Sequence, residues 1–404
     1  MKKIIIGLVI LLQFSCSDMK LKTLENDFYR VVLTVQNNEK LPFVMKVKSL
    51  KEIEIYNAEE IIEVDEITYR NDSVFIHPPV FEGYIAAKIT EKGFEGAFIK
   101  ESLDRIVPLV AEKGIHQRFK IKNSLEVVDI SGVWEVTFSG GTDDDTWKGK
   151  GIFKQNGNQL TGTFRTLTGD YRYLEGIVDG GSFKLSVFDG AHAFLFSGNI
   201  ESDNLSGVYY SDKHWNKNFT AIRNPNYALP GSEGLTYLRE GYSKFEFSFP
   251  NMDDEIISTN DDTFKNKVTI IQIMGTWCPN CLDESKFLTQ YINENQFSDL
   301  EVVALAFEQA KTKQKAKERI KRLKERIKIS YPILLAQYGG SNKNIANEKL
   351  PMLNHILSYP TTIFIDKKGN IRKIHTGFNG PATGKKFLDF KTDFQHFIQL
   401  LRSE

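Results

Sequence analysis

The first half of the chain alternates apolar and polar residues with the two-residue period of β-strands. Runs at 29–35, 43–47 and 74–77 show the pattern, and pairs of turn residues such as Asn156-Gly157 separate the runs. Between 132 and 223 strands recur about every ten residues, which is typical of a meander, barrel or sandwich. We therefore predict an all-β region over residues 17–224, and the pattern admits a division into two β units near residue 125.

The pattern changes after a segment rich in proline and glycine. Residues 225–242 predict a linker. Beyond it strand-like and helical runs alternate, which predicts an α/β domain over residues 243–404. Within that domain, 267–274 is a β-rich and largely apolar run of the kind that forms a strand buried on both faces. The expected fold class is α+β multidomain, with an all-β amino-terminal part and an α/β carboxy-terminal part.

One predicted helix of this second part is strongly basic. Ten of the eighteen residues from 311 to 328 are Lys or Arg, while Ala316, Ile320, Leu323 and Ile327 form one apolar stripe. The basic face is interpreted either as a solvated outer surface or as a docking surface for an acidic partner or anionic lipid headgroups.

The first sixteen residues have the form of an export signal. Positive residues at the start precede an apolar core at 4–12, which is shorter than the roughly 20 apolar residues that a spanning helix needs. Ser15 followed by Cys16 after such a core resembles a bacterial lipoprotein signal, in which the cysteine is lipidated after cleavage. The resemblance implies a signal peptide over residues 1–16, lipidation at Cys16 and a periplasmic protein anchored to a membrane. An ordinary secretory signal is the alternative, and both imply export.

Charge and cysteine content narrow the classes of function. The chain has 52 basic and 52 acidic residues, so no net field attracts nucleic acid, and none is expected as a partner. It has three cysteines, Cys16, Cys278 and Cys281. A scaffold held together by disulfides would need more pairs spread along the chain. The two cysteines that lie three positions apart therefore indicate a chemical role rather than a structural one.

Those two cysteines lie where a predicted strand meets a predicted helix. The apolar run ends in Gly275-Thr276-Trp277, and helical spacing follows Cys281. Cys278 is thus expected at the helix amino terminus, where free N–H groups and the helix dipole favour a thiolate. Pro279 suits the first helical turn. Cys281, one turn further in, is less exposed, so Cys278 is predicted to attack and Cys281 to resolve.

Two other interpretations of the cysteine pair are weaker. A closed zinc site needs two more Cys or His ligands, and His355 and His375 show no paired spacing. A structural disulfide would close too small a loop to add much stability. We expect neither a metal nor a cofactor.

The residues around the two cysteines, together with a later run, carry a specific family resemblance. The run 268–284, together with 359–366 and Lys368-Gly369, resembles the TlpA/ResA branch of the thioredoxin fold. The resemblance implies extracytoplasmic thiol–disulfide oxidoreductase activity. It also implies that Glu284 moves protons to and from the cysteine pair, although a solvated helix carboxylate is the alternative there. Pro360 matches the cis-proline that faces the CxxC and shapes the substrate groove.

The positions next to these residues tune partner choice and reduction potential in that fold. Trp277 precedes the first cysteine as it does in the TlpA/ResA branch, whereas Pro279-Asn280 and Tyr359 depart from a common pattern. The implied partners are client proteins with disulfides and an upstream membrane thiol reductant. Two alternative functions stay open: a thiol peroxidase-like antioxidant enzyme, and a surface lipoprotein whose β domain binds a ligand beside a non-catalytic redox fold.

The second β unit carries a weaker resemblance. Gly132-Val133-Trp134 with a late Arg223 is similar to lipocalin-like barrels, in which an early Trp packs against a late Arg. Such a barrel could enclose a ligand, but we expect a filled core.

Overall fold

The computed structural model describes residues 21–122, 128–139 and 146–404. The predicted signal peptide, Cys16 and the predicted division near residue 125 lie outside the described residues. No helix within the described ranges is long and apolar enough to cross a membrane.

The amino-terminal part begins with an open antiparallel sheet of nine strands. Its order is β4-β3-β2-β1-β9-β8-β7-β6-β5, so the first and last strands in sequence pair at its centre. Alternating burial along the strands places one apolar face in the core. The strands are β1 Phe28–Thr34, β2 Lys40–Ser49, β3 Glu52–Asn57, β4 Glu60–Val64, β5 Glu66–Arg70, β6 Ser73–His77, β7 Tyr84–Thr90, β8 Gly93–Lys100 and β9 Arg105–Lys113.

Eight further strands form a closed antiparallel barrel, in which the first strand pairs with both the second and the last. Its interior is filled by aromatic side chains, with Phe164 and Phe196 stacked at 4.4 Å between ring centroids. This packing agrees with the expected filled core. The strands are β10 Gly132–Ser139, β11 Thr146–Asn156, β12 Gln159–Arg165, β13 Leu174–Asp179, β14 Ser182–Phe188, β15 Ala193–Glu201, β16 Asn204–Ser211 and β17 Trp215–Arg223.

Trp134 and Arg223, which suggested a barrel in the sequence, lie on the two strands that close it. Trp134 is fully buried and donates its indole N–H to the carbonyl of Ile130 at 2.9 Å. The guanidinium of Arg223 lies 4.5 Å from the centre of the Trp134 ring and donates to the carbonyls of Ser131 and Asp129. Cation–π attraction and these hydrogen bonds together hold the entering chain against the last strand.

The barrel packs on the buried face of the open sheet. Phe43 of the sheet stacks on Phe188 of the barrel, with ring centroids 4.3 Å apart, and both are fully buried. The core of the open sheet also includes Leu195 and Tyr210 of the barrel. The two β units therefore share one apolar interface.

The carboxy-terminal part is a five-stranded mixed sheet, ordered β22-β21-β20-β23-β24, with helices around it. All seven residues of central strand β20 are buried, as its apolar run predicted. The elements are β18 Ser248–Pro250, β19 Ile256–Ser258, β20 Val268–Met274, α1 Pro279–Asn295, β21 Leu300–Phe307, α2 Lys313–Ile327, β22 Ile333–Gln337, α3 Lys343–Lys349, β23 Thr361–Ile365, β24 Ile371–Thr376 and α4 Lys385–Ser403. The predicted all-β and α/β parts are both confirmed.

The basic helix α2 contacts an acidic edge of the open sheet. Arg322 donates to Glu66 at 2.7 Å, and Arg326 donates with two nitrogens to Asp65 at 2.8 Å. Arg319 pairs with Glu82 in the same interface. Part of the basic surface thus binds an acidic partner within the same chain, which joins the two halves of the molecule.

The Trp134 site generates a stability prediction. We expect Trp134→Ala to destabilise the barrel by about 3–5 kcal/mol, because it removes a large, fully buried side chain and leaves a cavity. Urea unfolding followed by circular dichroism measures the effect. The control is Ile222→Ala on the outer face of β17, where the side chain is 59% exposed and the expected change is within about 0.5 kcal/mol. Equal effects of the two substitutions would contradict this account of the barrel core.

Candidate active site

Strand β20 delivers the chain directly to the amino terminus of α1. Cys278 is the N-cap residue of that helix, and Pro279 occupies the first turn. The Cys278 sulfur accepts a hydrogen bond from the backbone N–H of Cys281 at 3.2 Å. An N–H group that has no partner inside the helix therefore points at the Cys278 sulfur.

The two cysteines differ in exposure. Both are free thiols, and their sulfurs lie 2.6 Å apart. Cys278 is 7% exposed, whereas Cys281 is fully buried. Burial raises the pKa of the Cys281 thiol well above its usual value, and the hydrogen bond to Cys278 raises it further. The pair is chemically asymmetric, with the reachable sulfur at the helix end.

A cis peptide bond faces the cysteine pair. It joins Tyr359 to Pro360, immediately before β23. The carbonyl oxygen of Tyr359 lies 3.4 Å from the Cys278 sulfur. The Tyr359 ring meets the Trp277 ring edge to face, at 5.4 Å between centroids, and the Trp277 indole N–H donates to the carbonyl of Phe307 at 2.9 Å. These contacts position the two aromatic rings beside the reactive sulfur.

Glu284 lies one turn beyond Cys281 in α1 and is almost completely buried, at 1% exposure. Its carboxylate accepts hydrogen bonds from the Thr362 hydroxyl at 2.6 Å and from the Gln272 amide at 2.8 Å. Desolvation raises the pKa of Glu284 to about 7, against the lowering effect of these two bonds. The alternative interpretation of Glu284 as a solvated helix carboxylate is wrong.

Two charged residues near the site were not singled out in the sequence. Glu308 is fully buried and accepts from both the N–H and the hydroxyl of Thr276, at 2.8 and 2.6 Å, which fixes the turn before Trp277. Lys343, at the start of α3, donates to the carbonyl of Leu357, and its charge interacts favourably with Cys278. Neither residue lies near the CxxC in sequence, so no local pattern pointed to them.

A loop of the barrel also reaches the site, which the sequence did not indicate. It joins β12 to β13, and its Arg172 pairs with Asp283 of α1; both side chains are about 95% buried. Asp170 of the same loop accepts from the N–H of Gly380 at 2.6 Å. Desolvation raises the pKa of Asp283 to about 6, although the charge of Arg172 opposes the change. The barrel and the CxxC helix are thus joined by a buried ion pair.

The buried carboxyl of Glu284 predicts a pH dependence of stability. Its pKa is about 7 in the folded chain and 4.5 as the reference value, so between these values the folded chain holds a proton that the unfolded chain has released. The contribution of Glu284 to the free energy of unfolding should therefore fall as pH rises from about 4.5 to 7, with a slope approaching about 1.4 kcal/mol per pH unit.

Glu284→Gln should remove that contribution, as measured by urea unfolding at a series of pH values. The control is Glu294→Gln, which changes an exposed carboxylate near the end of the same helix. It should leave the slope of unfolding free energy against pH as in the wild type. If Glu284→Gln kept the wild-type dependence of unfolding free energy on pH, the raised pKa of Glu284 would be contradicted.

Comparison with known proteins agrees with this geometry. Residues 243–388 match the family model Redoxin. The chain is 27% identical over 158 residues to the thioredoxin-like protein YneN of Bacillus subtilis, covering 39% of this chain and 80% of YneN. It is 25% identical over 139 residues to the thiol-disulfide oxidoreductase ResA of Halalkalibacterium halodurans, covering 34% of this chain and 69% of ResA.

Among solved structures, this chain aligns with a thiol:disulfide interchange protein of Chlorobium tepidum. The alignment covers 41% of this chain and 98% of the Chlorobium tepidum chain. The alignment has 19% identity and a TM-score of 0.30. The Redoxin match, the two curated relatives and the CxxC at the start of α1 indicate the same kind of domain. The carboxy-terminal region of this chain is therefore similar to Redoxin domains and to thioredoxin-like thiol–disulfide oxidoreductases.

Proposed function

We propose that this protein is an extracytoplasmic enzyme that reduces disulfides of exported client proteins through the dithiol of Cys278 and Cys281. One observation carries the proposal: Cys278 caps helix α1 with its sulfur and keeps 7% exposure, whereas Cys281 beside it is fully buried. This asymmetry suits a reaction in which one sulfur meets the client and the other acts only afterwards.

The reaction has two exchange steps. In the first, the Cys278 thiolate attacks one sulfur of a client disulfide, so a mixed disulfide forms and the other client sulfur leaves as a thiolate that takes up a proton. In the second, Cys281 loses its proton and attacks Cys278, which releases the second client sulfur. The client gains two electrons and two protons, and the enzyme keeps the Cys278–Cys281 disulfide. An upstream membrane dithiol then reduces that disulfide.

Glu284 is proposed as the group that exchanges protons with Cys281. The second step needs a base because burial raises the pKa of the Cys281 thiol. A carboxyl group with a pKa of about 7 is partly ionised at neutral pH and so both accepts and returns a proton. Its two hydrogen bonds, from Thr362 and Gln272, keep the carboxylate in place. Gln272 also lies 3.5 Å from the carbonyl of Cys281, which links the two residues.

The remaining predicted site residues are proposed to shape the client groove. Tyr359 and cis Pro360 present a backbone carbonyl at the Cys278 sulfur. Trp277 forms the neighbouring wall, held by its contact with Tyr359 and its hydrogen bond to strand β21. A client would meet Cys278, which keeps 7% exposure, beside these groups.

Export and anchoring complete the proposal. Residues 1–16 are proposed as a signal peptide, with a lipid on Cys16 that holds the protein on the periplasmic side of a membrane. The support is the charge and apolar pattern of that segment. Residues 17–224 are proposed as two β units and 225–242 as a linker. We propose a structural and docking role for the barrel, because aromatic side chains fill its interior.

The resolving role of Cys281 predicts a trapped intermediate. In Cys281→Ser the second step is blocked, so the client stays attached to Cys278 as a mixed disulfide. Non-reducing gel electrophoresis followed by mass spectrometry should show adducts that reducing agent removes. The matched control is Cys278→Ser, which retains the buried thiol and should form none. Adducts of equal amount in both variants would contradict the assigned roles.

Loss of the attacking thiol predicts loss of activity. Cys278→Ser should reduce the rate of insulin disulfide reduction by about three orders of magnitude or more, because a serine hydroxyl is not ionised at neutral pH. Hydrogen peroxide turnover by the wild-type protein, measured in parallel, separates the peroxidase alternative. Intact insulin reduction by Cys278→Ser, or peroxide turnover faster than disulfide exchange, would defeat the proposal.

A further inference from the structure

Three short segments surround the CxxC on its open side. They are Asn280 between the two cysteines, Ser358 just before the cis peptide bond, and the turn 377–380 that follows β24. The described barrel loop between β12 and β13 contacts all three. We call its residues Thr168–Arg172 the barrel segment.

The contacts to the barrel segment are mostly contacts to its backbone. The Ser358 hydroxyl donates to the carbonyl of Thr168 at 3.2 Å, and the Asn280 amide lies 3.5 Å from the carbonyl of Asp170. Gly169 forms a parallel β-bridge with Phe378. Groups that recognise carbonyl oxygens and pair backbones accept an extended polypeptide of many sequences. The surface beside the CxxC thus carries groups that suit an extended chain, and the barrel segment lies against them.

Two glycines make the approach as close as backbones allow. A Cβ atom on Gly169 would lie 2.0 Å from the Asn280 amide nitrogen and 3.1 Å from the carbonyl oxygen of Phe378. A Cβ atom on Gly377 would lie 2.5 Å from the carbonyl oxygen of Thr168. Gly169 also has φ +156° and Gly377 has φ +79°, which are conformations that favour glycine. The barrel segment thus leaves no room for a second chain between itself and the CxxC.

Two buried anchors hold the barrel segment in the groove. The Asp170 carboxylate, in a residue only 8% exposed, accepts from the N–H of Gly380 and from the N–H of Arg172. The Arg172 guanidinium bridges Asp283 of α1 and Glu60 of the open sheet. These anchors connect all three parts of the molecule at the edge of the active site.

We propose that the barrel segment determines which disulfides reach Cys278. It occupies the groove that the polypeptide of a protein client would take, so a protein disulfide reacts only when the segment leaves, whereas a small disulfide reaches the exposed part of Cys278 without this change. The barrel then acts as a specificity element of the oxidoreductase. This inference rests on the proposed function, since it assigns the client class of the same site.

The test displaces the barrel segment without changing the cysteines. Gly169→Val adds a branched side chain against Asn280 and Phe378 and strains the backbone. The matched control is Gly157→Val in the β11–β12 turn, where φ is +57° and no atom lies within 4 Å of an added Cβ. Asp170→Ala, which removes one anchor, is the second variant. Circular dichroism and thermal unfolding establish which variants fold.

We expect Gly169→Val and Asp170→Ala to raise kcat/KM for insulin reduction about tenfold. This value follows if the barrel segment leaves the surface free about a tenth of the time in the wild type and almost always in the variants. Reduction of oxidised glutathione should change less than about twofold, because the small disulfide does not need the groove. Gly157→Val should match the wild type with both substrates. Folded variants with unchanged or lower insulin reduction would overturn the proposal.

A second measurement separates this inference from the proposed function. Reduced full-length protein is treated with iodoacetamide or with a polyethylene-glycol maleimide, and alkylation of Cys278 is followed by peptide mass spectrometry. Faster labelling of both segment variants by the bulky reagent alone supports the barrel segment as a cover, even if no variant reduces any disulfide and the proposed function fails. Equal labelling of the wild type and both variants overturns the inference, even if the wild type reduces disulfides.

Discussion

The backbone N–H groups at the start of helix α1 are the constraint around which the active site is built. A helix leaves its first N–H groups without partners inside the helix, and here one of them, from Cys281, binds the Cys278 sulfur. This contact requires strand β20 to end at Met274 and the helix to begin at Pro279, with a short turn between them. The fully buried strand fixes the direction of the chain, and buried Glu308 fixes the turn through Thr276. The position of the reactive sulfur therefore depends on the core of the sheet.

Burial then separates the chemistry of groups that are close in sequence. Cys278 and Cys281 are the same residue type three positions apart, yet Cys278 keeps 7% exposure whereas Cys281 is fully buried. Glu284 and Glu294 lie on the same helix, but Glu284 faces Gln272 and Thr362 in the core, whereas Glu294 faces solvent. Removal from water raises the pKa of both Cys281 and Glu284, because a charged form is less stable in the interior. One helix thus carries a cysteine at its amino terminus, a fully buried cysteine and a buried carboxyl.

The amino-terminal β units are joined to the redox domain by charge. Helix α2 binds the acidic edge of the open sheet through Arg319, Arg322 and Arg326. The barrel binds helix α1 through Arg172 and Asp283. Buried or partly buried ion pairs contribute less to stability than to defining one arrangement of the parts, since desolvation offsets much of their attraction. The charge pairs therefore specify where the barrel segment lies relative to the CxxC.

The local features of this protein could be predicted from its amino-acid order. Period-two alternation, turn residues and a largely apolar strand run were enough to predict a β-rich first part and an α/β second part, because these patterns follow from backbone geometry. The strand–CxxC–helix junction likewise determined which cysteine caps the helix. Other features depend on tertiary packing. They are the burial of Glu284, the position of Lys343 near Cys278, and the contacts of Asp170 with Gly380 and of Arg172 with Asp283. Each brings together residues distant in sequence, such as Arg172 and Asp283, and no local pattern encodes the packing that unites them.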